Sequence, residues 1–224
     1  MTVVDASPLT LAVIAKAPLP GRAKTRLSPP CTPEQAAAIA NALLADVLAV
    51  ARHVAGVRLV VLFDGEPAAW LPDGVPVVQQ RAGDLDQRLE LAFQDLQSPA
   101  LIIAADADVG VSDVHALVEP LVSGNVDAAL GPAHDGGYWA IGLVRPIRGA
   151  VRGVPMNTAH TAAAQLDRFH QLGLRVHVGR CRRDIDTFDD ALAVAAARPT
   201  GHLAASLAAI GLDVRPGDDE GTAA

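Results

Sequence analysis

The stretch "LTLAVIAKAPLPGRAKTRL", residues 9–27, joins an apolar run to a basic loop. The run 9–15 shows no alternation of polar and apolar residues, which is typical of a strand buried on both faces of a parallel sheet. The loop that follows is rich in Lys and Arg. Open α/β sheets bind ligands beyond the carboxyl ends of their strands, so the stretch predicts an α/β fold with an anion site at this loop.

The alternation of strand and helix continues along the chain. Further strands are predicted at 57–63, 75–79, 100–105, 126–132, 137–143 and 174–178. Helices are predicted at 33–53, 85–97, 158–172 and 187–210, and from a cap at Ser112 to about Gly124. In the first helix, we expect Thr32 and Gln35 to form a capping box. Too few residues separate 126–132 from 137–143 for a helical crossover, so one of these two strands is expected to run antiparallel.

Length and composition limit the class of protein. The 224 residues suit one domain over 1–212, and the polar tail 213–224 is expected to be disordered. A net charge of -7 argues against nucleic-acid binding, which needs an extended basic surface. No signal peptide or uncharged stretch of about 18 apolar residues is present, so we expect a cytoplasmic protein without a membrane span. Cys31 and Cys181 fit neither a zinc nor a disulfide pattern.

The basic loop is a candidate site for a nucleotide phosphate. Arginine offers forked donors to phosphate oxygens, lysine offers a point charge, and a glycine between prolines can shape the turn. The loop is not a P-loop, because Ala23 stands where that motif has glycine, and no G-x-G-x-x-G occurs. A solvated basic loop is the alternative. The candidates are Lys16, Gly21, Arg22, Lys24, Thr25 and Arg26.

Two acidic segments are candidates for a metal site. Asp106 and Asp108 follow the strand 100–105, and two carboxylates at a strand end can bind a hard cation such as Mg²⁺ or Mn²⁺. Turn formation before the next helix is their alternative role. Asp184 and Asp186 occupy alternate positions of an extended segment and could add a ligand, or the segment could simply cap the following helix.

The segment "GPAHDGGYW", residues 131–139, combines His134 and Asp135 with the glycines Gly136 and Gly137. Paired glycines permit positive φ and close approach of the backbone to a ligand. An ordinary hairpin turn explains the same residues, because Asp-Gly is a common hairpin signal. The residues alone leave both interpretations open.

Taken in order, several segments resemble a bacterial family with the glycosyltransferase-A fold. They are "VIAKAPLPGRAKTRL", "QRAGDLDQRLELAF", "GPAHDGGYWAIGL" and "DIDTFDDAL", together with the acidic strand end. Members of this family are often labelled nucleotide-diphospho-sugar transferases or arsenosugar-biosynthesis glycosyltransferases. The guanylyltransferases that act on phospholactate or phosphoenolpyruvate are a more distant likeness. The resemblance implies a three-layer αβα domain with a mixed, mostly parallel sheet.

The resemblance also implies roles for individual residues. Gly83, Asp84 and Arg88 match the family's G-D-L-x-x-R at the nucleotide side of the site, and Asp106 matches its metal-binding aspartate. The basic loop would contact the nucleotide phosphates. One departure is clear, because the family's G-[AT]-D-C-P is replaced here by "AADADVG". Whether Asp108 shares the metal is therefore open.

The leading hypothesis is a metal-dependent transfer of a sugar from a nucleoside-diphosphate sugar to an unidentified small acceptor. Asp135 is the first candidate for the general base and His134 the second. Nucleotidyl transfer to a phosphorylated small acid is the main alternative, and a non-catalytic nucleotide-binding protein is the third. We expect the acceptor to be selected by the loops 64–74 and 144–157.

Overall fold

The computed structural model describes residues 9–211 apart from 67–70, 72–73 and 98, so the tail predicted from 213 lies outside the described residues. Seven strands form one sheet in the order β3-β2-β1-β4-β6-β5-β7. β6 is antiparallel to β4 and β5, and the other neighbours are parallel, which confirms the predicted mixed sheet. The strands are β1 Leu9–Lys16, β2 Val57–Asp64, β3 Val77–Gln79, β4 Ala100–Ala104, β5 Ala128–Pro132, β6 Tyr138–Leu143 and β7 Val176–Val178.

Helices cover both faces of the sheet and complete the predicted three layers. The helices are α1 Pro33–Arg52, α2 Leu85–Leu96, α3 Val111–Val122, α4 Thr161–Gln171, α5 Phe188–Ala197 and α6 His202–Ala209. Along β1, Leu11 and Val13 pack in the cluster that contains α1 and α3, while Ala12 packs in the cluster that contains α2 and α4. Burial on both faces therefore explains why β1 is apolar without alternation. A third cluster joins α5 and α6 to the outer side of α1.

Two helix boundaries differ from the sequence prediction. α3 begins at Val111 rather than after a cap at Ser112, because Asp113 inside the first turn accepts a hydrogen bond from the Gly110 backbone N–H at 2.9 Å. The single helix predicted for 187–210 is two helices, since α5 ends at Ala197, two residues before a proline that cannot continue it. The capping box of Thr32 and Gln35 is confirmed.

The helix α1 is long and apolar enough to cross a membrane by length and composition, but half of that stretch is buried inside the fold. Leu44, Val47 and Leu48 pack in the same cluster as β1. These contacts are those of a core helix, and the same helix places its first turns beside the basic loop.

Candidate functional site

A cleft of about 420 Å³ opens at the carboxyl ends of β1 and β4. From these two neighbouring strands the chain continues toward opposite edges of the sheet, and open α/β sheets bind ligands at such a point. The volume of the cleft lies in the usual range for small-molecule sites, roughly 300–1,000 Å³. Part of the wall is apolar and is formed mainly by Ile14, Leu43, Leu44 and Leu85.

Charged side chains line the rest of the cleft. Five are cationic and two are acidic, so the cleft is locally positive on a protein whose formal net charge is -7. Thr25 of the basic loop also lines the cleft. The charged side chains are Lys16, Arg22, Lys24, Arg26, Arg88, Asp106 and Asp186.

Two of these cations are available to an incoming anion. Lys16 and Arg22 are exposed, and neither makes an ion pair with any residue that the structure describes. Arg26 donates to Asp186 at 3.2 Å but keeps 74% of its side chain exposed. Gly21, with φ 71°, gives the loop its turn, as the sequence predicts, without lining the cleft itself.

Arg88 is held in the cleft by neighbours that the sequence interpretation did not include. Its Nη1 lies 3.2 Å from Asp64 Oδ2 and 3.0 Å from Gln80 Oε1. The Gln80 amide nitrogen donates to the carbonyls of Ala15 at 2.9 Å and Leu62 at 3.0 Å. Gln80 thus ties Arg88 to the ends of β1 and β2. The sequence signal that could have indicated this role is the position of Gln80, a polar residue directly after β3.

Lys24 is engaged with acidic groups rather than free for phosphate. Its Nζ lies 2.5 Å from Asp106 Oδ2, 2.5 Å from the Ile185 carbonyl and 3.0 Å from Asp186 Oδ1. The side chain is only 12% exposed. Burial acts to lower the pKa of Lys24, but the two carboxylates outweigh it and raise the pKa, so the ammonium stays charged. Its backbone is left-handed, with φ 47°.

The acidic segments that follow β4 and precede α5 meet beside Lys24. Only two of their four candidate aspartates line the cleft. Asp106 and Asp186 line the cleft, and Thr187 rather than Asp186 caps α5. Asp108 is ion-paired with Arg198 at 2.7 Å and lines a separate small hollow, because the chain turns at 105–106 and directs it away. Asp108 therefore does not line the cleft together with Asp106.

Asp184 lies at the buried side of this acidic group. Desolvation, followed by the charges of Asp106, Asp135 and Asp186, raises the pKa of Asp184 to about 7. Its Oδ1 is buried and has no hydrogen-bond partner among the described residues. Across the part of the chain that the structure describes, no three His, Cys, Asp or Glu side chains are grouped so as to hold a metal as they stand. The oxygen atoms beside Asp184 are arranged around the Lys24 ammonium instead.

The segment 133–137 is a hairpin turn between β5 and β6. The Gly137 N–H donates to Asp135 Oδ1 at 2.8 Å, and both His134 and Asp135 are exposed and do not line the cleft. Gly136 has φ 87°, and a Cβ there would lie 2.0 Å from the Ala159 carbonyl oxygen. Close packing of protein backbone thus explains this glycine, and the hairpin turn is one of the two interpretations that the sequence left open.

A second hollow of about 380 Å³ adjoins the cleft and shares Leu85 with it. Asp84 lines this hollow, although the resemblance places it at the nucleotide side, and Gly83 before it has φ 136°. The opposite wall is the segment 153–157. The Asp86 carboxylate accepts from the Gly153 N–H at 2.7 Å and attaches this wall to α2.

Charged side chains also hold the preceding segment 149–152. The buried Glu90 carboxylate accepts from the N–H groups of Gly149 at 2.9 Å, Val151 at 3.3 Å and Arg152 at 2.9 Å. Arg168 donates to the carbonyls of Gly149 at 2.7 Å and Arg152 at 2.9 Å. Side chains of α2 and α4 thus satisfy the backbone of the segment that leads into the wall of the second hollow.

Solved structures with the same fold include enzymes that use nucleotides. A protein from Desulfovibrio desulfuricans G20, named provisionally as a nucleotide-diphospho-sugar transferase, is 23% identical, with a TM-score of 0.79 over 92% of this chain and 96% of that one. CMP:2-keto-3-deoxy-manno-octonic acid synthetase in complex with CTP is 14% identical, with a TM-score of 0.52 over 86% and 99%. UDP-glucose pyrophosphorylase from Acinetobacter baumanii is 10% identical, with a TM-score of 0.54 over 92% and 100%.

These likenesses confirm the predicted fold. No curated protein matches the chain in sequence. The profile of one bacterial family matches residues 39–158, more than half of the chain, and this match includes Arg88, Asp106 and the hairpin turn. The chain therefore belongs to the family described as "uncharacterized protein conserved in bacteria (DUF2064)".

Proposed function

We propose that the protein is a nucleotide-dependent transferase whose cleft binds the nucleoside diphosphate part of the donor. The observation that carries this proposal is the combination of an apolar wall with the unengaged cations Lys16 and Arg22. An apolar wall suits a base and ribose, and the cations suit phosphate oxygens. The named structural neighbours include an enzyme bound to CTP, which supports a nucleotide as the ligand class.

Transfer of a sugar from a nucleoside-diphosphate sugar is the reaction we favour. As the bond to the sugar breaks, negative charge grows on the departing diphosphate, and the cations of the cleft would stabilise it. An acceptor hydroxyl must lose its proton, and Asp135 is our candidate base, with His134 second. The charge of Asp135 contributes to the raised pKa of Asp184, which indicates that Asp135 lies near the acidic group.

Asp106, Asp186 and the Ile185 carbonyl are the groups that we propose for Mg²⁺ or Mn²⁺. All three offer the oxygen ligands that these cations prefer, and the Lys24 ammonium already stands among them as a cation. A bound divalent cation would neutralise charge on the diphosphate oxygens. The unpartnered Asp184 Oδ1 is a further oxygen on the buried side.

The acceptor would bind in the second hollow, which shares Leu85 with the cleft. Asp84 and Asp86 give this hollow an acidic wall, and it contains no Lys or Arg among the residues described there. An acidic wall suits an acceptor with hydroxyl or amine groups and opposes one with phosphate or carboxylate groups. This contrast is our reason for placing sugar transfer ahead of nucleotidyl transfer to a phosphorylated acid.

Nucleotidyl transfer remains the second candidate, because two of the named neighbours are a synthetase bound to CTP and a pyrophosphorylase. The two reactions release different products. Glycosyl transfer releases a nucleoside diphosphate, whereas nucleotidyl transfer releases pyrophosphate. Pyrophosphate formed from a nucleoside triphosphate and a phosphorylated acid would establish the second reaction. A third candidate, a non-catalytic nucleotide-binding protein, would bind donors without any turnover.

Thermal shift with a panel of nucleotides tests the donor site. A cognate nucleotide at about 100 times its Kd should raise Tm by about 5 to 10 °C in a domain of this size. Arg22→Ala should weaken binding by roughly 10- to 100-fold, since a charge-assisted hydrogen bond is worth about 1.5 to 3 kcal/mol.

Arg148→Ala is the matched control, because it removes an exposed arginine that does not line the cleft. We expect this control to leave nucleotide affinity unchanged. If no nucleoside diphosphate, nucleoside triphosphate or nucleotide sugar shifts Tm with Mg²⁺ or Mn²⁺ present, the proposed donor site is wrong. Equal losses in the two arginine variants would show a nonspecific charge effect instead.

A further inference from the structure

Lys24 has an unusual position for a residue of a basic loop. Its ammonium has three N–H donors, and three oxygen acceptors surround it, from Asp106, Ile185 and Asp186. Two of these partners lie on the segment that precedes α5, and the third follows β4. The lysine therefore joins the basic loop to both acidic segments of the site.

These three oxygens are also the groups that a divalent cation would use. An ammonium and a divalent cation cannot occupy the same place between Asp106 and Asp186. We propose that Lys24 is an exchangeable internal cation, which holds the two carboxylates in the metal-free protein and leaves them when Mg²⁺ or Mn²⁺ binds. This inference rests on the metal site of the proposed function.

Charge and exposure support an exchange. Lys24 and Arg26 supply two positive charges to the three aspartates 106, 135 and 186, so the acidic group remains undercompensated even when Asp184 is neutral, and it favours a cation of higher charge. The carboxylates of Asp106 and Asp186 are 32% and 36% exposed, so a metal can reach them from the cleft. The left-handed backbone of Lys24 is a conformation that a lysine adopts at a cost, and the side-chain contacts hold it there.

After the exchange, the Lys24 ammonium would be free to bind a phosphate group. Lys24 lines the same cleft as Lys16 and Arg22, so the released ammonium remains close to the place proposed for phosphates. Metal binding would thus convert a cation that is satisfied by carboxylates into one that needs an anion. The metal and the nucleotide would bind cooperatively through this residue.

Lysine-selective reductive methylation of the wild-type protein tests the exchange directly. Lys16 and Lys24 are the only lysines in the sequence, and Lys16 is exposed and unpaired among the described residues. Without metal, peptide mass spectrometry should show rapid methylation of Lys16 and slow methylation of Lys24. With saturating Mg²⁺ and no nucleotide, the rate at Lys24 should approach that at Lys16, whose own rate should not change. An unchanged or lower rate at Lys24 would overturn the exchange.

Direct titration with Mn²⁺, followed by electron paramagnetic resonance of the free ion, gives a second test. Lys24→Met removes the competing ammonium and should increase Mn²⁺ affinity on the order of 10- to 100-fold. Arg22→Met is the matched control, because it removes a cation from the same loop that contacts neither carboxylate, and it should change Mn²⁺ affinity far less. An unchanged or lower affinity in Lys24→Met would contradict the proposal.

Neither measurement contains a nucleotide, so each is independent of the donor site. Release of Lys24 by Mg²⁺ in a protein that binds no nucleotide would leave the exchange standing and refute the donor proposal. Nucleotide binding without release of Lys24 would support the donor site and refute the exchange. If Lys24→Met does not fold, the methylation of wild-type protein still decides between these outcomes.

Discussion

Asp184 should make the stability of the protein depend on pH in a direction opposite to that of most carboxylates. Its pKa is about 7 in the folded protein, against an ordinary value of 3.8. Between these values the folded state keeps a proton that the unfolded state has lost, so the free energy of unfolding falls as pH rises. The loss is complete above the folded pKa. Asp184→Asn removes the titration while keeping the size and a neutral side chain.

The magnitude follows from the size of the shift. From about pH 5 to about pH 8, roughly two pKa units of this shift are titrated, and each unit corresponds to about 1.36 kcal/mol. Asp184 is only partly buried, so solvent screens part of this difference. We therefore expect the stability of Asp184→Asn, relative to wild type, to increase by about 2 kcal/mol over this range.

Urea denaturation at both pH values, with a chelator to remove divalent cations, measures this difference. Asp189→Asn is the control, since Asp189 is an exposed acid in the first turn of α5. It should show the same stability relative to wild type at both pH values. If Asp184→Asn also shows no change with pH, the carboxyl group is not protonated in the folded protein, and the raised pKa is refuted.

Two further substitutions test the wall of the second hollow and the proposed base. Glu90→Ala removes the acceptor of three N–H groups, of which that of Val151 is buried and those of Gly149 and Arg152 are partly buried, and it should lower the free energy of unfolding by about 2 to 4 kcal/mol, measured by urea denaturation. The exposed Glu119→Ala is its control and should change stability little. Asp135→Asn should leave donor affinity unchanged and lower glycosyl transfer by about 10²- to 10⁴-fold, measured as release of nucleoside diphosphate. An effect on donor affinity alone would contradict a role as base.

The fold could be predicted because its signals are local. An apolar run such as 9–15 can be buried on both faces only within a covered sheet, and the structure confirms this for β1. The short connection between 126–132 and 137–143 likewise determined that one strand reverses, and β6 does so. The position of the cleft followed from the same reasoning, since the carboxyl end of β1 leads directly into the basic loop.

The contacts within the site could not be predicted, because they join distant parts of the chain. Lys24 and Asp106 are 82 positions apart, and Lys24 and Asp186 are 162 apart. A basic loop therefore suggested phosphate binding for every cation in it, although Lys24 is satisfied by carboxylates. The placement of Asp108 could not be predicted for a local reason. The chain turns at 105–106, so Asp108 lies against Arg198 and not in the cleft with Asp106.

The cations of the cleft thus fall into two groups with different consequences for binding. Lys16 and Arg22 are unengaged among the described residues, so they can attract a phosphate whether or not a metal is present. Lys24 is bound by Asp106 and Asp186, so it can contribute only after another cation has replaced it. Loss of Arg22 should therefore weaken nucleotide binding at every metal concentration. Loss of Lys24 should instead lower the metal concentration that is needed to occupy the site, because the carboxylates no longer hold a competing charge.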